Sequence, residues 1–208
     1  RIKYSALGFN VLAQNIQLII KAYLGKIKKV IILDLDNTLW NGVIGEEGVD
    51  NIGLSEEGID KVFRDFQRSI KELNRLGVLL AICSKNNYDD AIAMINNHPM
   101  MILREKDFVS IKINWSNKVE NIISISEDLN LSLDSFVFLD DSPIEREFVR
   151  SNIPDVTVPE FPSDKSMIRS WFINEVLFSA STRKSRGRVF FVSTIFYQCR
   201  KVFQYSLR

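Results

Sequence analysis

Between residues 29 and 158 the apolar positions fall into two alternating rhythms. Lys29-Val-Ile-Ile-Leu33, Val78 to Cys83 and Phe136-Val-Phe-Leu139 are short β-branched or apolar runs, the pattern of strands buried on both faces. Phe108-Val109 predicts a shorter strand, and Val156 to Val158 a last one, closed off by Pro159 and Pro162. From Gly58 to Gly77 the apolar residues Ile59, Val62, Phe63, Phe66, Ile70, Leu73 and Leu76 recur at spacings of three and four. That is one helical stripe, with Gly77 as its stop. Asp89 to Asn97 carries Ile92 and Ile95 and ends at His98-Pro99; Val119 to Leu129 carries Ile122, Ile123 and Ile125. Ser142-Pro143-Ile144-Glu145 opens a further helix: Ser142 caps it, Pro143 suits the first turn and Glu145 completes the capping box. Repeated β-α-β order implies a parallel sheet with right-handed crossovers and helices on both faces.

The flanks lack this alternation. Residues 1–28 read as a lead-in with one helix over 5–24, residues 29–162 as the α/β core, and 163–208 as a mostly helical appendage. After Glu175 the chain has no acidic residue but carries Arg183, Lys184, Arg186, Arg188, Arg200, Lys201 and Arg208. These form either a solvated basic face or a surface for an acidic partner.

The whole chain has 208 residues, 46% hydrophobic and 25% charged, enough for one domain and a small accessory segment. Fourteen Phe and three Trp argue against disorder. With 27 Lys and Arg against 26 Asp and Glu, charge offers no reason to expect nucleic acid. No apolar run reaches membrane-span length, and no signal peptide follows residues 1–10. Two cysteines, Cys83 and Cys199, make no disulfide framework, so a reducing, cytoplasmic setting is expected.

Candidate chemistry gathers where strands end. Asp34-Leu-Asp36-Asn37-Thr38 follows the first strand, Ser84-Lys-Asn-Asn87 the second, and Asp140-Asp141-Ser142 the third. In an open parallel sheet these carboxyl ends share one crevice, where ligands bind. Asp34 and Asp36, two apart on an extended chain, are expected side by side, and repel unless a cation or proton lies between them. With Asp140 and Asp141 they make an oxygen-rich site suited to Mg²⁺, while one His and no Cys pair leave little for zinc. Mg²⁺ held this way usually binds substrate phosphate as well. Ser84 is placed to donate to a phosphate oxygen, and Lys118, opening a helix, to bring an ammonium near it. A carboxylate can then attack phosphorus in line, giving an aspartyl-phosphate.

Asp34-Leu-Asp36-Asn-Thr38, Ser84, Lys118 and Asp140-Asp141 resemble, in order and spacing, the four motifs of the haloacid dehalogenase superfamily of phosphotransferases. The FkbH-like branch is similar over Leu33-Asp-Leu-Asp-Asn-Thr-Leu-Trp40, Gly42-Val-Ile-Gly45, Ala81-Ile-Cys-Ser-Lys-Asn-Asn87, Ile111-Lys-Ile-Asn-Trp115, Phe138-Leu-Asp-Asp-Ser-Pro-Ile-Glu-Arg-Glu147 and Val158-Pro-Glu-Phe-Pro162. Ser142 stands where that branch often has Asn, and Asn41 where it often has Gly. The resemblance implies a three-layer, Rossmann-like fold with a minimal cap, since Trp40 to Leu54 has room only for a flap. It implies Asp34 as nucleophile and Mg²⁺ ligand. Asp36 would be the acid and base, its backbone carbonyl on the metal. Ser84 and Lys118, with Asn37 and Thr38, would hold the phosphoryl group, and Asp140 with Asp141 would complete the metal site. It further implies a phosphorylated three-carbon acid as substrate and loading of its glyceryl unit onto an acyl carrier protein, with the Cys83 thiol placed to hold it. Simple phosphatase action on a small metabolite, or a non-catalytic binding module of the same fold, are the rivals.

Plain structural readings stand beside these. The Asp34–Thr38 run favours a turn, Ser84 a helix cap, and Lys118 a solvated first turn, although a cation there opposes the helix dipole. His98, Trp40 and Trp115 read as structural, and a strand-end Cys such as Cys83 is commonly an inert core residue.

Overall fold

The structure, a computed structural model, describes residues 28–173. Four apolar runs become four parallel strands: β1 (Val30–Leu33), β2 (Leu79–Ser84), β3 (Phe108–Ile113) and β4 (Phe136–Leu139), in the order β3-β2-β1-β4. The central strand β1 pairs Val30 to Leu33 with Leu79 to Ile82 on one side and with Phe136 to Leu139 on the other. Between them run α1 (Ile44–Glu47), α2 (Lys61–Arg75), α3 (Tyr88–Asn97), α4 (Lys118–Leu129), α5 (Pro143–Asn152) and α6 (Ile168–Trp171), with short 3-10 turns. None of these helices is long and apolar enough to cross a membrane.

The two-residue period of the strands sorts their side chains onto two faces. Ile31, Leu33, Leu80, Ile82, Val137 and Leu139 pack with Phe63, Phe66, Ile70 and Leu73 of α2 and with Ala91, Met94 and Ile95 of α3. Val30, Ile32, Ala81, Cys83, Phe136 and Phe138 pack with Ile122 and Ile125 of α4 and Val149 of α5. The result is a three-layer, Rossmann-like α/β architecture. Gly77, in the left-handed region at φ 97°, turns the chain from α2 into β2.

Two strands differ from the expectation. β3 runs four residues beyond Val109: as an edge strand, anchored by buried Phe108 and Ile113, it tolerates half-buried Ser110 and Lys112 between them, and Lys112 pairs with Asp128 at 2.8 Å. Val156–Val158 contributes a single parallel bridge, Thr157 beside Val137, and Pro159 two residues on has no N–H to extend a ladder. The core also continues past residue 162: Ile168 and Phe172 are fully buried, with Phe172 edge-on to Phe66 at 4.9 Å. The expected helix over 5–24, the basic run after Glu175 and Cys199 lie outside the described residues.

Between β1 and α2 the chain holds α1, a 3-10 turn, a parallel bridge between Asp36 and Trp40 and an antiparallel bridge between Asn41 and Gly53. Trp40, Ile44, Ile52 and Leu54 are buried, which fixes this flap to the body. Gly53 is required at the bridge, since a Cβ there would lie 2.6 Å from Asp60 Oδ1 and 2.8 Å from Asn41 Cβ.

Candidate active site

The carboxyl ends of β1 and β4, adjacent in the sheet, deliver the acidic residues. Asp34 continues β1, its N–H donating to Leu139 O at 3.0 Å. Asp140 and Asp141 follow β4. Carboxylate oxygens of Asp34, Asp140 and Asp141 all lie within 4.8 Å of one another. Asp34 and Asp140 are buried, so the cluster is costly without positive charge.

Lys118 supplies some of it. Asn117 caps α4 by accepting from Glu120 N–H at 2.9 Å, which sets Lys118 as the first helical residue, facing inward. Its Nζ lies 2.8 Å from Asp34 Oδ1 and also contacts Asp140 Oδ2. Only 3% of Lys118 is exposed. Burial works against its charge, but the two carboxylates outweigh burial and hold the ammonium above its ordinary value. Asp140 moves upward: burial is the main cause and the Asp34 charge the second, with Lys118 only partly offsetting them. Asp141 moves up for the same two leading reasons.

Asp36 is held differently. The chain turns after Asp36, with Asn37 left-handed at φ 53°, and the Asp36 carboxylate stands outside the Asp34, Asp140 and Asp141 cluster while the Asp34 charge still acts on it through space. Asp36 Oδ1 accepts from Trp40 Nε1 at 2.9 Å and from Ile44 N–H at 3.2 Å; Oδ2 accepts from Asn86 Nδ2 at 2.9 Å. Burial nevertheless raises its pKa, with the hydrogen bonds opposing it and Asp34 adding a little.

The expected phosphate residues divide. Ser84 ends β2 at the same edge, almost wholly buried. Thr38 Oγ1 accepts the Asp141 N–H at 3.1 Å, so it ties the β1 loop to the β4 loop. Asn37 spends its side-chain oxygen on Gly42 N–H at 3.1 Å and on Lys165. Cys83 is not brought to the crevice. Being one residue before Ser84, it leaves β2 on the α4–α5 face, in the core, where its Sγ meets Lys118 O at 3.8 Å. Burial pushes the thiol up to about 12, far from a reactive thiolate. The acyl-holding role expected for it has no footing in this placement.

Four residues around the site were not assigned these parts from sequence. Trp40 and Asn86 grip Asp36. Arg146, in α5, donates from Nη1 to the carbonyls of Asp140 at 2.9 Å and Asp141 at 2.7 Å, and from Nη2 to Glu160 at 3.1 Å. Lys165 reaches Asn37 and Asn41 from 124 or more positions away. A buried indole needs an acceptor, which was a signal for Trp40; nothing in the sequence marked Lys165.

Among solved structures, the N-terminal part of BF1531 from Bacteroides fragilis, which contains a phosphatase domain and was crystallised with Mg, is 43% identical with a TM-score of 0.76. The match covers 79% of this chain and 44% of that one, so this chain spans less than half the length of that relative. A HAD family enzyme of Bacteroides thetaiotaomicron, BT-2542, complexed with magnesium and inorganic phosphate, is 15% identical over 66% of this chain and 96% of its own, with a TM-score of 0.44. The HAD domain of the effector Lem4 from Legionella pneumophila is 13% identical over 74% and 95%, with a TM-score of 0.48. No family model and no curated protein matches the chain.

Proposed function

We propose that this chain, which has the fold of the haloacid dehalogenase superfamily, is a Mg²⁺-dependent phosphohydrolase or phosphotransferase working through Asp34. The observation that carries the reading is the convergence of Asp34, Asp140 and Asp141 within 4.8 Å, with the Lys118 ammonium between two of them. Three clustered carboxylates fit a hard divalent cation that prefers oxygen. The 43% identity to a Mg-bound phosphatase domain supports the same reading.

Asp34, Asp140 and Asp141, with the Asp36 carbonyl, would hold Mg²⁺. When bound, the ion neutralises charge on the phosphoryl oxygens and leaves Asp34 free to approach phosphorus. Asp34 attacks phosphorus in line; the new O–P bond forms as the bond to the leaving oxygen breaks. Asp36, its carboxyl raised by burial, carries the proton that this oxygen takes up. In the second half Asp36 removes a proton from water, which attacks the aspartyl-phosphate and regenerates Asp34. Lys118 and Ser84 hold the phosphoryl oxygens throughout, fixed by α4 and β2 rather than by loops.

For the substrate, the FkbH-like motifs favour a phosphorylated three-carbon acid, with transfer of the glyceryl unit to an acyl carrier protein. The flap between β1 and α2, with no folded cap domain, suits access by a long carrier arm. The reading assigns no covalent step to Cys83. The test is phosphate release from p-nitrophenyl phosphate. Wild-type protein should turn it over with Mg²⁺ and stop in EDTA, and Asp34→Asn should be inactive while folded. Turnover by Asp34→Asn at wild-type rate would refute the proposal.

A further inference from the structure

We infer that Lys165 is a second anion-binding residue of the crevice, placed to take a carboxylate on the leaving group of the substrate. The inference rests on the phosphatase reading above and deepens it.

Of the lysines at the carboxyl edge, Lys85 pairs with Glu145 at 2.6 Å, and Lys118 and Lys165 are in opposite situations. Lys118 is neutralised by Asp34 and Asp140. Lys165 Nζ touches only neutral groups among the described residues: Asn37 Oδ1 at 3.2 Å, Asn41 Oδ1, and the Phe63 ring at 5.7 Å from its centroid. The side chain is half-buried. A neutral amide would strap the β1 loop equally well at a smaller desolvation cost, so the structure keeps a charge here that its own contacts do not use.

The position bears on the chemistry. Asn37 lies three residues beyond Asp34, on the loop that also carries Asp36. The ammonium is near enough to the crevice to act on Asp141 through space, although as a minor contribution beside burial and Asp34. Asn41 is rigidly set: its N–H and C=O bridge Gly53 at 3.0 and 2.8 Å, and its Nδ2 donates to Asp60 Oδ1 at 2.8 Å. Its Oδ1 is therefore left for Lys165, which holds the ammonium in one place.

The donor count selects the ligand. An ammonium has three N–H donors. Asn37 and Asn41 take two, and one remains. A single charge-assisted donor suits a carboxylate; a second phosphate would call for several.

The test uses two phosphate esters that differ at one group. 3-Phosphoglycerate carries a carboxylate where glycerol 3-phosphate carries a hydroxymethyl. Each is measured as a competitor of p-nitrophenyl phosphate turnover in Mg²⁺. Wild-type protein should bind 3-phosphoglycerate about tenfold tighter or more, the range of a hydrogen bond to a charged group. Lys165→Gln should reduce the preference to about twofold or less, and Lys165→Arg should restore most of it. Lys165→Met gives the same readout if the Gln variant does not fold. Equal competition by the two esters in wild-type protein would overturn the inference and leave the phosphatase reading standing. Equal weakening of both by Lys165→Gln would overturn it as well, because Lys165 would then serve only the carboxylate cluster. Absence of any p-nitrophenyl phosphate turnover would bring down the phosphatase reading, and the inference with it.

Discussion

Removing Lys118 should produce a protein whose stability depends on metal and on pH in a direction fixed by its neighbours. In Lys118→Met the side chain keeps its apolar length, but Asp34 and Asp140 stay buried beside each other without the ammonium. The side chains of all three are under 10% exposed, so water does little to screen the change. Breaking a buried ion pair of this kind costs about 3–5 kcal/mol. For a domain of this size that lowers Tm by on the order of 10 °C. The pH sign follows from linkage. Without Lys118 the Asp140 carboxyl, already raised by burial and the Asp34 charge, has its pKa pushed further above the unfolded value. A carboxyl raised in this way contributes stability below its unfolded value, and that contribution is lost as pH climbs through the folded value. The variant should therefore be least stable relative to wild type near neutral pH and recover on acidification toward pH 5. Saturating Mg²⁺ should also recover it, because binding to the native carboxylates adds to stability by mass action. Thermal unfolding with and without EDTA, at several pH values, reads all of this. A variant as stable as wild type at neutral pH in EDTA, or one that neither acid nor Mg²⁺ rescues, would refute the reasoning.

Arg146→Met should loosen the Asp140–Asp141 loop, costing about 1–3 kcal/mol for each carbonyl left without a donor and weakening Mg²⁺-induced thermal stabilisation. Glu160, mostly exposed, should matter far less when replaced by Gln. Trp40→Phe removes a donor from the Asp36 carboxylate, so its raised pKa should climb further and the pH profile of turnover should shift to higher pH; an unchanged profile would show that Asp36 is not the group titrating. Cys83→Ala should keep phosphate release while destabilising the core by about 1 kcal/mol, measured by urea unfolding; loss of turnover in a folded variant would return Cys83 to the mechanism.

The fold was legible wherever periodicity was strong. β1, β2 and β4 are apolar on both faces, and α2 carries an unbroken stripe from Val62 to Leu73, so these elements follow from pattern alone. β3 was read short because Ser110 and Lys112 interrupt its apolar run, which an edge strand tolerates. Within the site, the acidic cluster was legible because strand ends in a parallel sheet converge by topology. The Asp34-x-Asp36 spacing was legible as a pair at the end of β1, but the Trp40 and Asn86 side chains that hold the Asp36 carboxylate were not. Cys83 follows the parity of a strand: one residue from Ser84 means the other face. Lys165 and Arg146 were not legible as site residues. Their roles depend on loop paths that bring a side chain back to Asn41 or to two backbone carbonyls, and no local spacing encodes that.

The proposed reaction passes through a covalent phosphoryl group on Asp34. The direct measurement is peptide mass spectrometry after acid quench of Asp36→Asn incubated with p-nitrophenyl phosphate and Mg²⁺, since that variant should form the intermediate but resolve it slowly. A phosphoryl adduct is expected on the peptide containing Asp34, absent without Mg²⁺ and absent when Asp34 is also changed to Asn. Turnover of the ester by wild-type protein with no adduct on Asp34 in the variant, or an adduct located on another residue, would contradict it.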